Sequence, residues 1–256
     1  MPETRIARLL ADLVGRLPAI VPTYGIYAAG SLGTRDFEPD RSDLDVVALL
    51  EDSPPQAAFK AIAAMHRGLA DEHPAGDRLN CLYVTLGEIV DADRAWPYWA
   101  HGKLGTRRLT AITRLELHDH GVVIAGPPIG ARIPYVTPEE LVHDVRAELS
   151  QIWLPASEKL APWFDDAMVD VGLTSLPRAQ AAMAEGELLT KTQAIAQLAS
   201  FDVPEWVRQD LLARRRGWAT ASGARFKMRR ARVVRDAMNL GVQRLLADRA
   251  GQLPGD

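Results

Sequence analysis

The chain has 256 residues and a mass of 28.1 kDa, long for one core and short for two full-size domains. Apolar residues make up 47% and charged residues 25%, the balance of a globular protein. A formal charge of −3 argues against a polybasic nucleic-acid binder and against an acidic tail protein.

The single cysteine, Cys81, excludes an intrachain disulfide and a Cys-rich metal site. The N-terminus carries Glu3 and lacks the apolar core of a signal peptide. No run approaches the ~18 apolar residues of a membrane span, so a cytoplasmic protein without a membrane partner is expected. Five of the cations are Lys (Lys60, Lys103, Lys159, Lys191 and Lys227), and the rest are Arg.

In chain order, Ile6, Leu9, Leu10, Leu13 and Leu17 repeat at helical spacing and predict a helix over 4–17, stopped by Pro18. Residues 23–29 read as a strand and 44–50 as a buried strand, closed by the turn at Asp52-Ser53-Pro54-Pro55. An Ala-rich helix follows over 56–70, and a third strand over 79–86. Residues 88–105 are mixed in character. A helix is expected over 106–118 and a strand over 121–125. From Pro138 onward only helices are expected, over 138–153, 156–164, 167–184, 190–200, 204–217 and 227–249. The chain therefore reads as an α/β domain, residues 1–136, with a small mixed sheet and flanking helices. An all-α helical-bundle domain, residues 137–256, follows it.

The stretch 25–49, GIYAAGSLGTRDFEPDRSDLDVVAL, carries the chemistry. A strand ends in Gly30-Ser31, a polar connection follows, and Ser42-Asp43-Leu44-Asp45 leads into the next strand. Two Asp at i and i+2 share one face of a strand, where both carboxylates can hold one hard cation. Gly30 lets backbone approach a phosphate closely. Ser31 and Ser42 add hydroxyl and N–H donors. The set makes a cradle for Mg²⁺ and a triphosphate. A lone Asp-x-Asp is more often turn chemistry; the joint pattern is far more specific.

That pattern resembles the polymerase-β-type nucleotidyltransferases. Among them it is most similar to the aminoglycoside O-adenylyltransferases that modify streptomycin and spectinomycin. The Gly-Ser, the Pro39-containing connection and the Ser-Asp-x-Asp all match, with the connection one residue longer. Residues 173–194, LTSLPRAQAAMAEGELLTKTQA, are similar to that family's helical-domain stretch. The resemblance implies AMP transfer from MgATP to a hydroxyl of a small acceptor, with an aminoglycoside as the family's type. It implies Asp43 and Asp45 as catalytic metal ligands. Gly30, Ser31, Ser42, Arg178 and Lys191 are then contacts to the ATP phosphates. It places an aromatic and carboxylates on the first helices of the helical domain, where Trp153, Asp166 and Asp170 are the candidates for the acceptor. Partners are thus ATP and a small hydroxylated acceptor, with no nucleic acid.

The chain departs from the family at the third strand. Asn80 falls where the family has a Glu base, and a one-residue shift would place Cys81 there. Asp77 and Glu88 flank the strand. Three readings stand: an acceptor that needs little base help, a relocated base, or a nucleotide-binding homologue with weak or no transfer. The last helix also lacks the family's Tyr.

The charge is unevenly spread. Residues 208–249 hold twelve Lys or Arg against three Asp, a net +9, so the remainder carries −12. A solvated or salt-bridged Arg face is the simplest expectation. A basic end facing a triphosphate is the functional one.

Overall fold

A computed structural model describes residues 2–91, 93–220 and 223–248. Arg249, counted above, lies outside them. The chain divides into two compact units, Met1–Val136 and Thr137–Asp256. Among the described residues no helix is long and apolar enough to cross a membrane.

The first unit runs α1 (Pro2–Arg16), β1 (Thr23–Ala28), α2 (Gly30–Gly33), β2 (Leu44–Leu50), α3 (Gln56–Glu72), β3 (Leu79–Thr85), β4 (Ala95–Ala100), β5 (Lys103–Arg108), α4 (Ala111–His120) and β6 (Val122–Ala125). Its six-stranded sheet has the order β5-β4-β3-β2-β1-β6. Only β2 and β3 are parallel, and α3 provides the crossover between them.

Strand alternation separates two apolar layers. Leu44, Val46, Ala48, Leu50, Cys81 and Tyr83 face α1 and α3, with Leu9, Leu13, Ile62 and Leu69 in the same cluster. Val47, Leu49, Leu82, Val84 and Trp96 face the other way, with Leu117 of α4. Asp45 and Asn80 share the parity of this second face. At that point the apolar layer gives way to polar side chains.

The hairpin β4–β5 corrects the expected helix start at 106. Strand β5 runs to Arg108, and α4 begins only at Ala111 behind the N-cap Thr110, whose hydroxyl accepts from Thr113 N. The two-residue turn His101-Gly102 has φ of 50° and 74°, the left-handed pair a tight hairpin turn requires. Trp96 and Trp99 are buried, and Trp99 stacks on His66 with centroids 4.8 Å apart.

The second unit contains α5 (Pro138–Glu148), a π turn Leu149–Trp153, α6 (Leu154–Ser157), α7 (Asp166–Glu185), α8 (Lys191–Gln197), α9 (Glu205–Arg216) and α10 (Ala224–Ala247). The helix expected over 156–164 is instead the end of α6 and a 3-10 turn at Ala161–Phe164, because Pro162 interrupts the hydrogen-bond ladder. Two glycines allow close packing. A Cβ at Gly172 would lie 2.7 Å from the Trp163 ring, and one at Gly241 would lie 2.7 Å from Leu176.

Candidate active site

The polar end of the sheet is built by three adjacent strands. Just after β1, Ala29 N–H donates to the Asp45 carbonyl at 2.9 Å. That bond sets Gly30 directly beside the Asp45 side chain. Gly30 has φ +60°, and a Cβ there would lie 2.9 Å from Asp45 Oδ2. A side chain would fill the space above the carboxylate, so only glycine leaves it open. Ser31 follows on α2, half-buried.

The connection from α2 to β2 is folded by its own polar groups. Ser42 N donates to the Glu38 carbonyl at 2.8 Å, and Glu38 N donates to Ser42 Oγ at 2.9 Å. The Ser42 hydroxyl therefore already accepts one bond and retains its proton for donation. Arg78, just before β3, pins the same segment: Nη1 donates to the Ser42 carbonyl at 2.8 Å and Nη2 to the Pro39 carbonyl at 2.7 Å. Asp43 is exposed at the end of this braced loop, and Asp45 is half-buried at the start of β2. Gly30, Ser31, Ser42, Asp43 and Asp45 are thus brought together.

The oxygen-rich pair Asp43 and Asp45, with the gap that Gly30 preserves, fits a hard cation such as Mg²⁺, which uses one or two carboxylates plus phosphate oxygens. A second acidic group, Asp12, Glu72 and His73, brings its ligand atoms within 4.8 Å of one another elsewhere in the unit. There Arg16 already donates to Glu72 at 2.9 Å, and His73 contacts Asp12 at 2.7 Å.

Asn80 pairs with Asp45 in the parallel register, and its Nδ2 donates to Asp45 Oδ1 at 3.1 Å. Cys81 points to the opposite face, fully buried, with its thiol pushed up to about 12 by burial. The one-residue shift that would bring Cys81 to the carboxylates is therefore ruled out by the pairing. Glu88 lies beyond the far end of β3, bound to Ser53 and Arg94. Asp77 is exposed in the turn before the strand.

Two residues that the sequence did not bring into view complete this face. Leu82 pairs with Tyr98, which is half-buried on β4. The Tyr98 hydroxyl is pushed above its ordinary pKa, chiefly by burial and further by the charges of Asp45 and Asp43, against an opposing effect of Arg107. Arg107 on β5 donates from Nη1 to Tyr98 Oη at 3.2 Å, and its guanidinium lies 5.2 Å from the ring centroid. A sequence signal existed: the His-Gly turn between two short strands.

In the helical unit, Arg178 on α7 donates from Nε to the Leu189 carbonyl at 2.9 Å. That contact ties it to the segment leading into Lys191, the exposed first residue of α8. Thr190 and Gln193 form a capping box, with bonds of 3.1 and 2.8 Å. The capping box thus satisfies Thr190 N and Gln193 N within the chain.

The three acceptor candidates are differently placed. Trp153 is buried in the core of the unit, and its Nε1 donates to Glu148 at 2.8 Å. Asp166 accepts from Arg230 at 2.5 Å. Asp170 accepts from Arg214 at 2.6 and 2.9 Å. Buried Asp210 joins the two arginines, accepting from Arg230 at 3.1 Å and also from Arg214. Burial pushes Asp166 up, but the Arg230 hydrogen bond together with the charges of Arg230, Arg214 and Lys227 leaves it below its ordinary pKa. Burial raises Asp170 despite Arg214. Part of the C-terminal positive charge is therefore spent inside the unit.

A mixed six-stranded sheet with Gly-Ser after one strand and Asp-x-Asp at the start of the next, followed by a helical unit, makes a two-part fold with a counterpart among solved structures. Among solved structures, the chain matches the crystal structure of spectinomycin adenyltransferase AAD(9) from Enterococcus faecialis with ATP and spectinomycin. Identity is 16%, the TM-score is 0.69, and the match covers 93% of this chain and 98% of that one. At that identity the likeness is one of fold. No family model matches the chain. No curated protein matches it.

Proposed function

We propose that the protein transfers AMP from MgATP to a hydroxyl of a small molecule. The observation that carries this reading is the Asp43/Asp45 pair beneath the gap kept open by Gly30. Gly30, Ser31 and Ser42 hold the phosphates beside it. Arg178 and Lys191 are assigned to the same phosphates on the family resemblance and on their juxtaposition within the helical unit. Trp153, Asp166 and Asp170 are assigned to packing and ion pairing.

The acceptor oxygen forms a bond to the α-phosphorus while the bond to the β-phosphate bridge breaks. Pyrophosphate leaves, and the hydroxyl proton passes to solvent. The cation supplies neutralisation of phosphate charge when bound. Asp43 and Asp45 would orient it, held by a loop that Ser42, Glu38 and Arg78 brace. Transfer of this kind depends mostly on positioning and charge neutralisation, which lowers the demand for a base.

The Asn80–Asp45 hydrogen bond favours one second reading, a nucleotide-binding homologue with weak transfer. Asn80 cannot accept the proton that a Glu at its position could take. The test is incubation with α-labelled ATP, Mg²⁺ and a panel of hydroxylated acceptors, streptomycin and spectinomycin included, read by mass spectrometry. An AMP adduct supports transfer. Nucleotide binding without any adduct supports the second reading.

A further inference from the structure

This inference rests on the transferase reading above and names the acceptor class. In-line displacement places the attacking oxygen opposite the leaving pyrophosphate. Gly30 and Ser31 lie on the β1 side of Asp45, so the acceptor approaches from the side of β3, β4 and β5.

On that side one sheet face carries, moving outward from Asp45, Asn80, Tyr98 and Arg107. Register and alternation fix this order. Asp45 pairs with Asn80, Leu82 with Tyr98, Tyr98 with Gly105, and Arg107, which pairs with Trp96 two residues farther along, shares that face and returns its guanidinium to the Tyr98 hydroxyl at 3.2 Å. A Cβ at Gly105 would meet nothing within 4 Å, so the space beside the Tyr98–Arg107 pair is open. Arg107 is exposed, and its polar contact among the described residues is the Tyr98 hydroxyl rather than a carboxylate. Asn80, beside Asp45 on this face, is neutral.

We propose that Arg107, steadied on the Tyr98 ring, binds a carboxylate or phosphate of the acceptor, so that the acceptor is a hydroxylated anion rather than a polyamine. A guanidinium fork suits either oxyanion. Its rigid placement at the strand edge lets it set the orientation of the attacking hydroxyl.

The test uses the full chain with Mg²⁺ and α,β-methylene-ATP, and again without nucleotide. Ligand-observed NMR measures binding of glycerate, glycerol 3-phosphate and 2-amino-1,3-propanediol. Both anions should bind and the amine should not; the tighter anion identifies carboxylate or phosphate as the preferred group. Arg107→Ala should weaken the anions by about tenfold and leave the nucleotide affinity unchanged. Arg107→Lys should restore part of the loss, and Tyr98→Phe should keep the fold while weakening the anions. Equal binding of the amine overturns the proposal, and so does unchanged anion affinity in Arg107→Ala. A loss of nucleotide affinity in that variant also overturns it, by making Arg107 a nucleotide contact. Failure of the transferase reading shows separately, as absent nucleotide binding, and the nucleotide-free arm still reads Arg107.

Discussion

Asn80 and Asp45 stand side by side in the parallel β2–β3 ladder, and the amide Nδ2 donates to the carboxylate Oδ1 at 3.1 Å. The bond leaves Oδ2 on the side of Gly30, where a cation and phosphates have room. An amide therefore orients the carboxylate proposed to hold the metal, at the position where the resembling enzymes carry a base. Asn80→Ala should cost about 1 kcal/mol in a urea titration, the net worth of one hydrogen bond to a half-buried carboxylate. Asn80→Glu should raise the AMP-transfer rate by about 100-fold or more if the acceptor proton limits turnover. A rate unchanged in Asn80→Glu would show that the acceptor needs no base there.

Gly30 is the second determinant of the cradle. Gly30→Ala places a Cβ against Asp45 Oδ2 and forces a non-glycine residue into the left-handed region, a cost of about 1–2 kcal/mol. MgATP affinity should fall more than thermal stability. Calorimetry paired with a melting curve separates the two effects.

These two positions also show what the sequence revealed. Gly30, Asp43 and Asp45 were legible because their chemistry lies in one continuous stretch, between two apolar strands that announce themselves. The hairpin β4–β5 was not. Pro97 sits within β4, and the edge strand KLGTRR is largely exposed, so neither shows the apolar alternation of a strand. Tyr98 and Arg107 were hidden with it. Arg78 gave no local signal either, because its partners Pro39 and Ser42 are 39 and 36 residues away. The acidic start of α7 reads in sequence as ligand-binding. Its arginine partners lie 64 and 44 residues downstream, a pairing that only the tertiary fold creates.

The ladder Asp166–Arg230–Asp210–Arg214–Asp170 makes its own prediction. Arg230 is 1% exposed and Asp210 is likewise buried. Removing one partner of a buried pair strands the other, at about 3–5 kcal/mol. Arg230→Met should lower the urea midpoint by an amount of that order. Arg230→Met with Asp210→Leu should recover much of the loss, because no uncompensated charge remains between them.

His66 gives a pH dependence. It is buried against Tyr83 and Trp99, and burial lowers its pKa from 6.5 to about 3. Between those values the unfolded chain binds a proton that the folded chain refuses, so stability falls as pH drops below 6.5. The slope approaches about 1.4 kcal/mol per pH unit from this one group. His66→Phe keeps a ring against Trp99 and removes the titration. Urea midpoints measured from pH 7 to pH 4 should decline less in that variant than in the parent chain.

The central claim is that Asp43 and Asp45 hold the metal of a bound nucleotide. Its most direct test is calorimetric titration of ATP with and without Mg²⁺ into the parent chain, Asp43→Asn and Asp45→Asn. The account predicts Mg²⁺-dependent binding in the parent and no measurable Mg²⁺-dependent binding in either variant, with melting temperatures preserved. Equal MgATP affinity in all three proteins would contradict it.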